Sequence, residues 1–333
     1  MRYIVDIPPD VVDLVQKYIN KNEYRSIQDF IINAIQNQIY LIENSDQINT
    51  CKVEPPSIKT DQSIKLKDRV NLLELRDVTI ITFQPDPSKL SSSLSGFWNK
   101  FFPVKVVIRV LTNLINENKG AILLDSLQET ASVEARNLGL SLFKMEKGSG
   151  KKRGDRLFTG LPVKKNSESS RSRFKSHFVG SLTVKKIDGM SGILRLIDIE
   201  KRDDGKDYVS LTPLGLEFYK LQNPILDLKN YDHSLSIQEK AFLLKIIQTH
   251  LQEEYEDIKF VLNLIAQGKK DTKELHESVL NYKQGFNINQ ISTFLSGLLN
   301  RLSDLDLVIR RYNGLSYLYE ISEKGKELIV SGV

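Results

Sequence analysis

Residues 193–218 read ILRLIDIEKRDDGKDYVSLTPLGLEF. Two short β-type runs flank a polar tip that contains Gly205, the signature of a β-hairpin. Thr212-Pro213 then reads as a helix start, with Thr as the N-cap and Pro at the first helical position, where its missing N–H leaves no bond unmade. The pattern returns at residues 307–328, LVIRRYNGLSYLYEISEKGKEL. Both copies fit a hairpin followed by [Leu/Ile]-[Thr/Ser]-x-x-Gly-x-x-[Phe/Leu], from Leu211 to Phe218 and from Ile321 to Leu328.

A hairpin followed by a closing helix, each time after a helical region, resembles the wing and last helix of winged-helix transcription regulators of the MarR and PadR types. The resemblance implies two helix-turn-helix modules, each with a recognition helix ahead of its wing. The corresponding expectation is 104–222 for the first module and 234–333 for the second.

Composition frames the reading. The chain has 333 residues, enough for two or three domains, with 40% apolar and 27% charged residues, which suits a globular protein. No run of 18 apolar residues exists, so no membrane partner is expected. The start, Met1 to Asp6, is not a signal peptide, because an acid interrupts a short apolar run. Cys51 is the one cysteine, which excludes an internal disulfide and a cysteine-based zinc cluster. His177, His233, His250 and His276 lack metal-ligand spacing. The expectation is a cytoplasmic, DNA-associated protein without a cofactor.

Charge is concentrated rather than large. Residues 144–186 hold 13 Lys/Arg and three acids, Glu146, Asp155 and Glu168, a net of +10. The chain total is +5, so the remainder carries 5 − 10 = −5. One basic block on an otherwise acidic chain is the footprint of a polyanion partner.

The first 43 residues read strand, helix, turn, helix. Tyr3, Val5 and Ile7 alternate with Arg2, Ile4 and Asp6; Pro8-Pro9-Asp10 opens a helix, and Ser26 caps a second one. A unit of that size cannot bury a core alone and should dimerise. The order and spacing resemble the ribbon-helix-helix family, through Val5 to Pro8 and Tyr24 to Ile31. The resemblance implies a homodimer through residues 1–43, with Arg2 facing the groove and Ser26 near a phosphate. Asp6 and Ile4 depart from the basic and amide residues usual on that ribbon. Residues 44–103 read as a linker with a short helix near 70–75, a strand over 78–83, and an aromatic cluster of Phe97, Trp98, Phe101 and Phe102.

In the first module, Val104 to Ile115 follows a helical period and Ser126 to Phe143 reads as a second helix. Gly148 to Gly154 evokes a phosphate loop, but no Ser or Thr follows Lys151 and Lys152, and a helix precedes it where a strand is needed, so a nucleotide P-loop is excluded. Ser167 to Val179 reads as a capped helix with Phe174 and Phe178 on one face and Arg171, Arg173, Lys175 and His177 spread over the rest. Arginine suits guanine edges and phosphates alike, making this the DNA-facing candidate. Lys151, Lys152, Arg153, Lys185 and Lys186 of the basic segment, with Arg202 and Lys206 of the first hairpin, would contact the backbone.

In the second module helices are expected near 236–251, 253–267, 272–282 and 287–302, with Arg310 and Arg311 opening its wing. Glu253, Glu254, Glu256 and Asp257 make this module acidic, so a protein partner is as consistent with it as DNA. The fold class read from all this is mainly α with short β-hairpins (α+β): a ribbon-helix-helix followed by tandem winged helices. No carboxylate pair, nucleophile–base set or metal motif stands out, so no enzyme is expected. The function read from the sequence is a dimeric double-stranded-DNA-binding transcription regulator. The alternatives are a replication-initiation or partition protein bound to repeated sites, and an architectural protein that reads DNA by shape.

Overall fold

Helix and hairpin alternate along the chain, and their order repeats. The computed structural model describes residues 71–330 except 90, 95, 97, 98, 164–167, 184, 185 and 315. The ribbon-helix-helix reading, with Arg2 and Ser26, and Lys185 lie outside the described residues, as do Phe97 and Trp98. The described residues belong to one compact unit, Arg69–Val333. They are mainly helical with a few short antiparallel strands, an α+β arrangement.

The elements run α1 (Phe102–Asn118), β1 (Ile122–Leu123), α2 (Leu124–Met145), α3 (Glu168–Phe174), α4 (Met190–Ile193), β2 (Ile197–Lys201), β3 (Asp207–Leu211), α5 (Pro213–Lys220) and α6 (Pro224–Leu228). They continue with α7 (Ile237–His250), α8 (Gln252–Ala266), α9 (Thr272–Tyr282), α10 (Ile288–Asp304), β4 (Val308–Tyr312), β5 (Tyr317–Ile321) and α11 (Glu323–Val330). A short helix near 70–75 and a strand over 78–83 were expected, but residues 71–75 form a turn and 78–83 pair as no strand. The run stays close to the sheet through one backbone bond, from the Phe83 N–H to the Leu211 carbonyl at 3.0 Å. Val78 and Ile80 pack against the core without a ladder, Ile81 and Phe83 are exposed, and β1 and β2 already flank β3 over Tyr208 and Val209.

α1 is the central helix, buried nearly all round, which explains why Lys105, Arg109 and Asn113 within it need internal partners. Lys105 Nζ lies 3.0 Å from the Glu239 carboxylate of α7 and donates to the Phe218 and Leu221 carbonyls. Arg109 pairs with Asp227 at 2.5 Å, and Asn113 donates to the Leu72 and Glu74 carbonyls. These bonds tie α1 to both halves of the described chain, and the Phe218–Phe242 stack at 5.5 Å adds an apolar seam between them. A second fully buried pair, Arg301 with Glu254 at 2.8 Å, joins α10 to α8.

The two hairpin-and-helix segments are alike bond for bond. Ile197 faces Leu211 in the first, and Val308 faces Ile321 in the second. Each hairpin is entered through a left-handed residue, Arg195 at φ 58 and Asp306 at φ 60. The Leu196 carbonyl accepts from the Thr212 N–H at 3.2 Å, and the Leu307 carbonyl accepts from the Ser322 N–H at 3.1 Å. Thr212 Oγ1 donates to the Arg195 carbonyl at 2.6 Å and accepts from the Gly215 N–H at 3.0 Å. Ser322 Oγ repeats this with Asp306 and Gly325 at the same two distances. A Cβ on Gly215 would stand 2.0 Å from the Leu196 oxygen, and one on Gly325 would stand 2.3 Å from the Leu307 oxygen. The Thr/Ser-x-x-Gly motif is therefore a hydroxyl clamp plus a close approach that only glycine allows. β1 adds a third strand beside β3 in the first sheet; in the second, a two-stranded sheet, a single bridge from Asp271 to Leu318 of β5 stands at the corresponding edge.

Candidate nucleic-acid interface

The basic segment folds onto α2 and onto the second hairpin. α3 ends at Phe174 and passes into a π-helical turn, Lys175–Val179, where one continuous α-helix was expected. Phe174 and Phe178 are both buried, with ring centroids 5.4 Å apart, so the apolar face anticipated for this helix is its anchor. Buried apolar residues fix the helix's rotation and so decide where its cations go.

The four cationic positions of this helix divide between two faces. Arg171 and Lys175 turn inward to α2. Both pair with Glu129, Lys175 at 2.5 Å, and Arg171 also donates to Ser132 Oγ at 3.2 Å. Each keeps only 21% of its side chain exposed; Glu129 faces both, and Glu168 adds a looser contact to Arg171 at 3.7 Å. Arg173 and His177 lie on the other face. Arg173 is exposed and forms no ion pair with any described residue. The His177 imidazole is held below its ordinary pKa, first by burial and then by the nearby Arg173 charge.

Arg173 and His177 open into a cleft of about 410 Å³. Ser170, Phe174 and Phe178 belong to the same helical stripe and share its wall. Phe158, Thr159 and Leu161 come from the basic loop, Asn99 from the segment before α1, and Asn300 from α10. Among the described residues no carboxylate lines it.

The other cations are placed as follows. Lys151 pairs with Glu146 at 3.0 Å, a nearly buried carboxylate that also accepts from the Leu157 N–H. Lys152 stands over the Tyr312 ring at 4.2 Å and keeps its charge in solvent. Arg153 lies in a 3-10 turn, Arg153–Asp155. Lys186 is exposed in a small loop closed by the Leu182–Ile187 bridge. In the first hairpin Arg202 pairs with Glu200 at 2.7 Å and covers Tyr208, while Lys206 is exposed at the tip. Asp204 accepts from the Lys206 N–H and the Tyr208 hydroxyl, which lowers its own pKa and raises that of the phenol.

Arg310 of the second hairpin points into the protein instead of outward. It contacts Asp155 at 2.5 Å, Asn300 Oδ1 at 2.5 Å and the Gly154 carbonyl at 3.2 Å. The Tyr317 hydroxyl donates to the same Asp155 at 2.8 Å, and burial together with this bond pushes the phenol up to about 12. Arg311 remains on the surface, paired with Glu320 at 3.0 Å. Among the described site residues, Lys152, Arg173, Lys186 and Lys206 are thus the exposed cations without a carboxylate partner.

Sequence reasoning missed Glu129, whose role depends on α2 and α3 lying side by side, and it missed the cleft, assembled from positions 99 to 300. The spacing of Arg171 and Lys175, one helical turn apart, was the one available hint that they share a face. Among the described residues no group of three or more His, Cys, Asp or Glu is placed to hold a metal ion, and no helix is long and apolar enough to cross a membrane. No protein-family model, curated protein or solved structure matches the chain.

Proposed function

We propose that this chain is a double-stranded-DNA-binding transcription regulator, dimerising through residues 1–43, with two winged-helix modules in the unit that follows. The repeated order of elements carries the proposal: helices, hairpin and closing helix, with the short strand β1 beside the last strand in the first copy and a single bridge from Asp271 to Leu318 in the second. Beside it stands the basic segment 144–186, with its net +10. In a winged helix the element ahead of the hairpin enters the groove and the hairpin tip follows the backbone. In the first module these are the α3 region with Arg173, the loop with Lys186, and the tip with Lys206. The bonds that pair Arg310 with Asp155 take it out of a backbone role, and Glu320 pairs with Arg311, which favours the first module as the DNA-reading one.

The experiment is duplex binding by fluorescence anisotropy across a salt series. Released counterions make affinity fall by several tenfold steps between low and moderate salt when six or more phosphates are neutralised. The triple variant Arg173→Gln, Lys186→Gln, Lys206→Gln should flatten that slope by about 3. Absence of duplex binding at the lowest salt would refute the reading.

A further inference from the structure

The basic loop between α2 and α3 is closed in one module and held by the other. Its neck is the buried Glu146 carboxylate, which accepts from the Leu157 N–H at 2.9 Å and pairs with Lys151 at 3.0 Å. Within it, Gly148 and Gly150 stand at φ +85 and +71, with no atom within 4 Å of where a Cβ would be, so packing does not fix the chain there. The far end, Lys152 to Asp155, rests on the second hairpin. Arg310 of β4 holds Asp155 at 2.5 Å and the Gly154 carbonyl at 3.2 Å. The Tyr317 hydroxyl of β5 donates to Asp155 at 2.8 Å, and Lys152 lies over the Tyr312 ring at 4.2 Å. A lysine on an undocked glycine-rich loop would lose conformational entropy on reaching a phosphate. For a loop docked on a hairpin, that loss has already occurred in folding.

We propose that the second hairpin positions Lys152 for the phosphate backbone of the duplex. Asp155, Tyr312 and Tyr317 are positioning residues, and the second module contributes to DNA binding through a loop of the first. The inference rests on the proposed duplex binding and deepens it by giving the second module a part. Charge alone makes the opposite prediction for one variant. Asp155→Asn removes a negative charge from the basic segment, and a polyanion would on that ground bind more tightly. Loss of the latch releases the loop, so binding weakens in spite of the added charge.

The test is duplex binding by the full chain, followed by fluorescence anisotropy across a salt series. Asp155→Asn should weaken binding by about threefold and lower the salt slope by about 1, the share of one phosphate contact. Glu168→Gln makes the same charge change in the same segment, at a side chain 79% exposed and away from the latch, and should tighten binding instead. Tyr312→Leu alters no charge and should weaken binding. Lys152→Gln should cost about threefold in the wild type and much less in the Tyr312→Leu background. Lys206→Gln, at the tip of the other hairpin, should cost the same in both backgrounds, which a general loss of structure would not give. Circular dichroism checks that each variant is folded, and the Tyr312→Leu arm decides by itself if Asp155→Asn does not fold. Tighter binding by Asp155→Asn, or an equal cost of Lys152→Gln in both backgrounds, overturns the proposal and leaves the proposed function standing. Absence of duplex binding by the wild type refutes both.

Discussion

The Arg310 guanidinium lies 2.5 Å from the Asp155 carboxylate and so fastens the second hairpin to the basic loop of the first module. Only 7% of the Arg310 side chain is exposed, which makes Asp155 its main charge partner. Asp155→Asn keeps the shape and removes the charge. It should destabilise the protein by roughly 1–3 kcal/mol, the range for a buried hydrogen bond to a charged group. Denaturant unfolding measures this, and faster amide exchange over residues 151–163 should accompany it.

Gly215 and Gly325 should be intolerant of any side chain. A Cβ at either position meets a backbone oxygen at 2.0 or 2.3 Å, and the oxygen belongs to the hairpin's first turn, so the backbone itself must shift. Gly215→Ala and Gly325→Ala should each cost about 2 kcal/mol or more. Gly205→Ala, with no atom within 4 Å but φ at +76, is the comparison, since it carries conformational strain without a clash. A smaller loss at 215 than at 205 would contradict the clamp.

Glu129 restrains two cations of the proposed DNA-reading region. Its side chain is 55% exposed, so Glu129→Gln should leave stability almost unchanged. Release of Lys175, and of Arg171 from all but its 3.7 Å contact with Glu168, should tighten duplex binding and steepen the salt slope by about 1 to 2. By the same logic Arg171→Gln should weaken duplex binding less than Arg173→Gln. Equal losses from the two would place the DNA on the α2 side of the helix.

Lys105 gives stability a pH dependence in the alkaline range. Burial first, opposed by Glu239, lowers its pKa from 10.5 to about 8. Between those values the unfolded chain holds a proton that the folded chain has released, so ν_U exceeds ν_N and the contribution of this group rises with pH. Below about pH 8 both states carry the proton and the desolvation penalty is present in full. Unfolding measured at steps across that window should show the rise, and the paired replacement Lys105→Met with Glu239→Leu should remove it. An unchanged profile in the double variant would assign the effect elsewhere. Tyr317, pushed up to about 12, acts in the opposite direction and only above the ordinary tyrosine value of 10.0.

Local chemistry was legible wherever it is local in the sequence. Thr212 caps α5 as its position before Pro213 requires, and Ser236 and Asn287 form capping boxes at the starts of α7 and α10. Both hairpins formed where alternation and a polar tip placed them. The run at 78–83 misled because β-branched residues mark a pleated surface only if a partner strand has a free edge. The continuous helix expected to Val179 yields to a π turn after Phe174, a change of winding that no spacing of residues announces.

By itself the sequence determined the helices, the two hairpins, the Thr/Ser-x-x-Gly clamp and the concentration of positive charge in one segment, because caps, periodicity and net charge act over a few neighbouring residues. Tertiary structure decided which of those charges are available. Arg171, Lys175 and Arg310 lose theirs to Glu129 and Asp155, carboxylates 42, 46 and 155 residues away in the chain, while Arg173 keeps its own and faces a cleft built from both halves. The reason is physical: Phe174 and Phe178 must be buried, their burial sets the rotation of the helix, and that rotation places each cation against a carboxylate or in solvent.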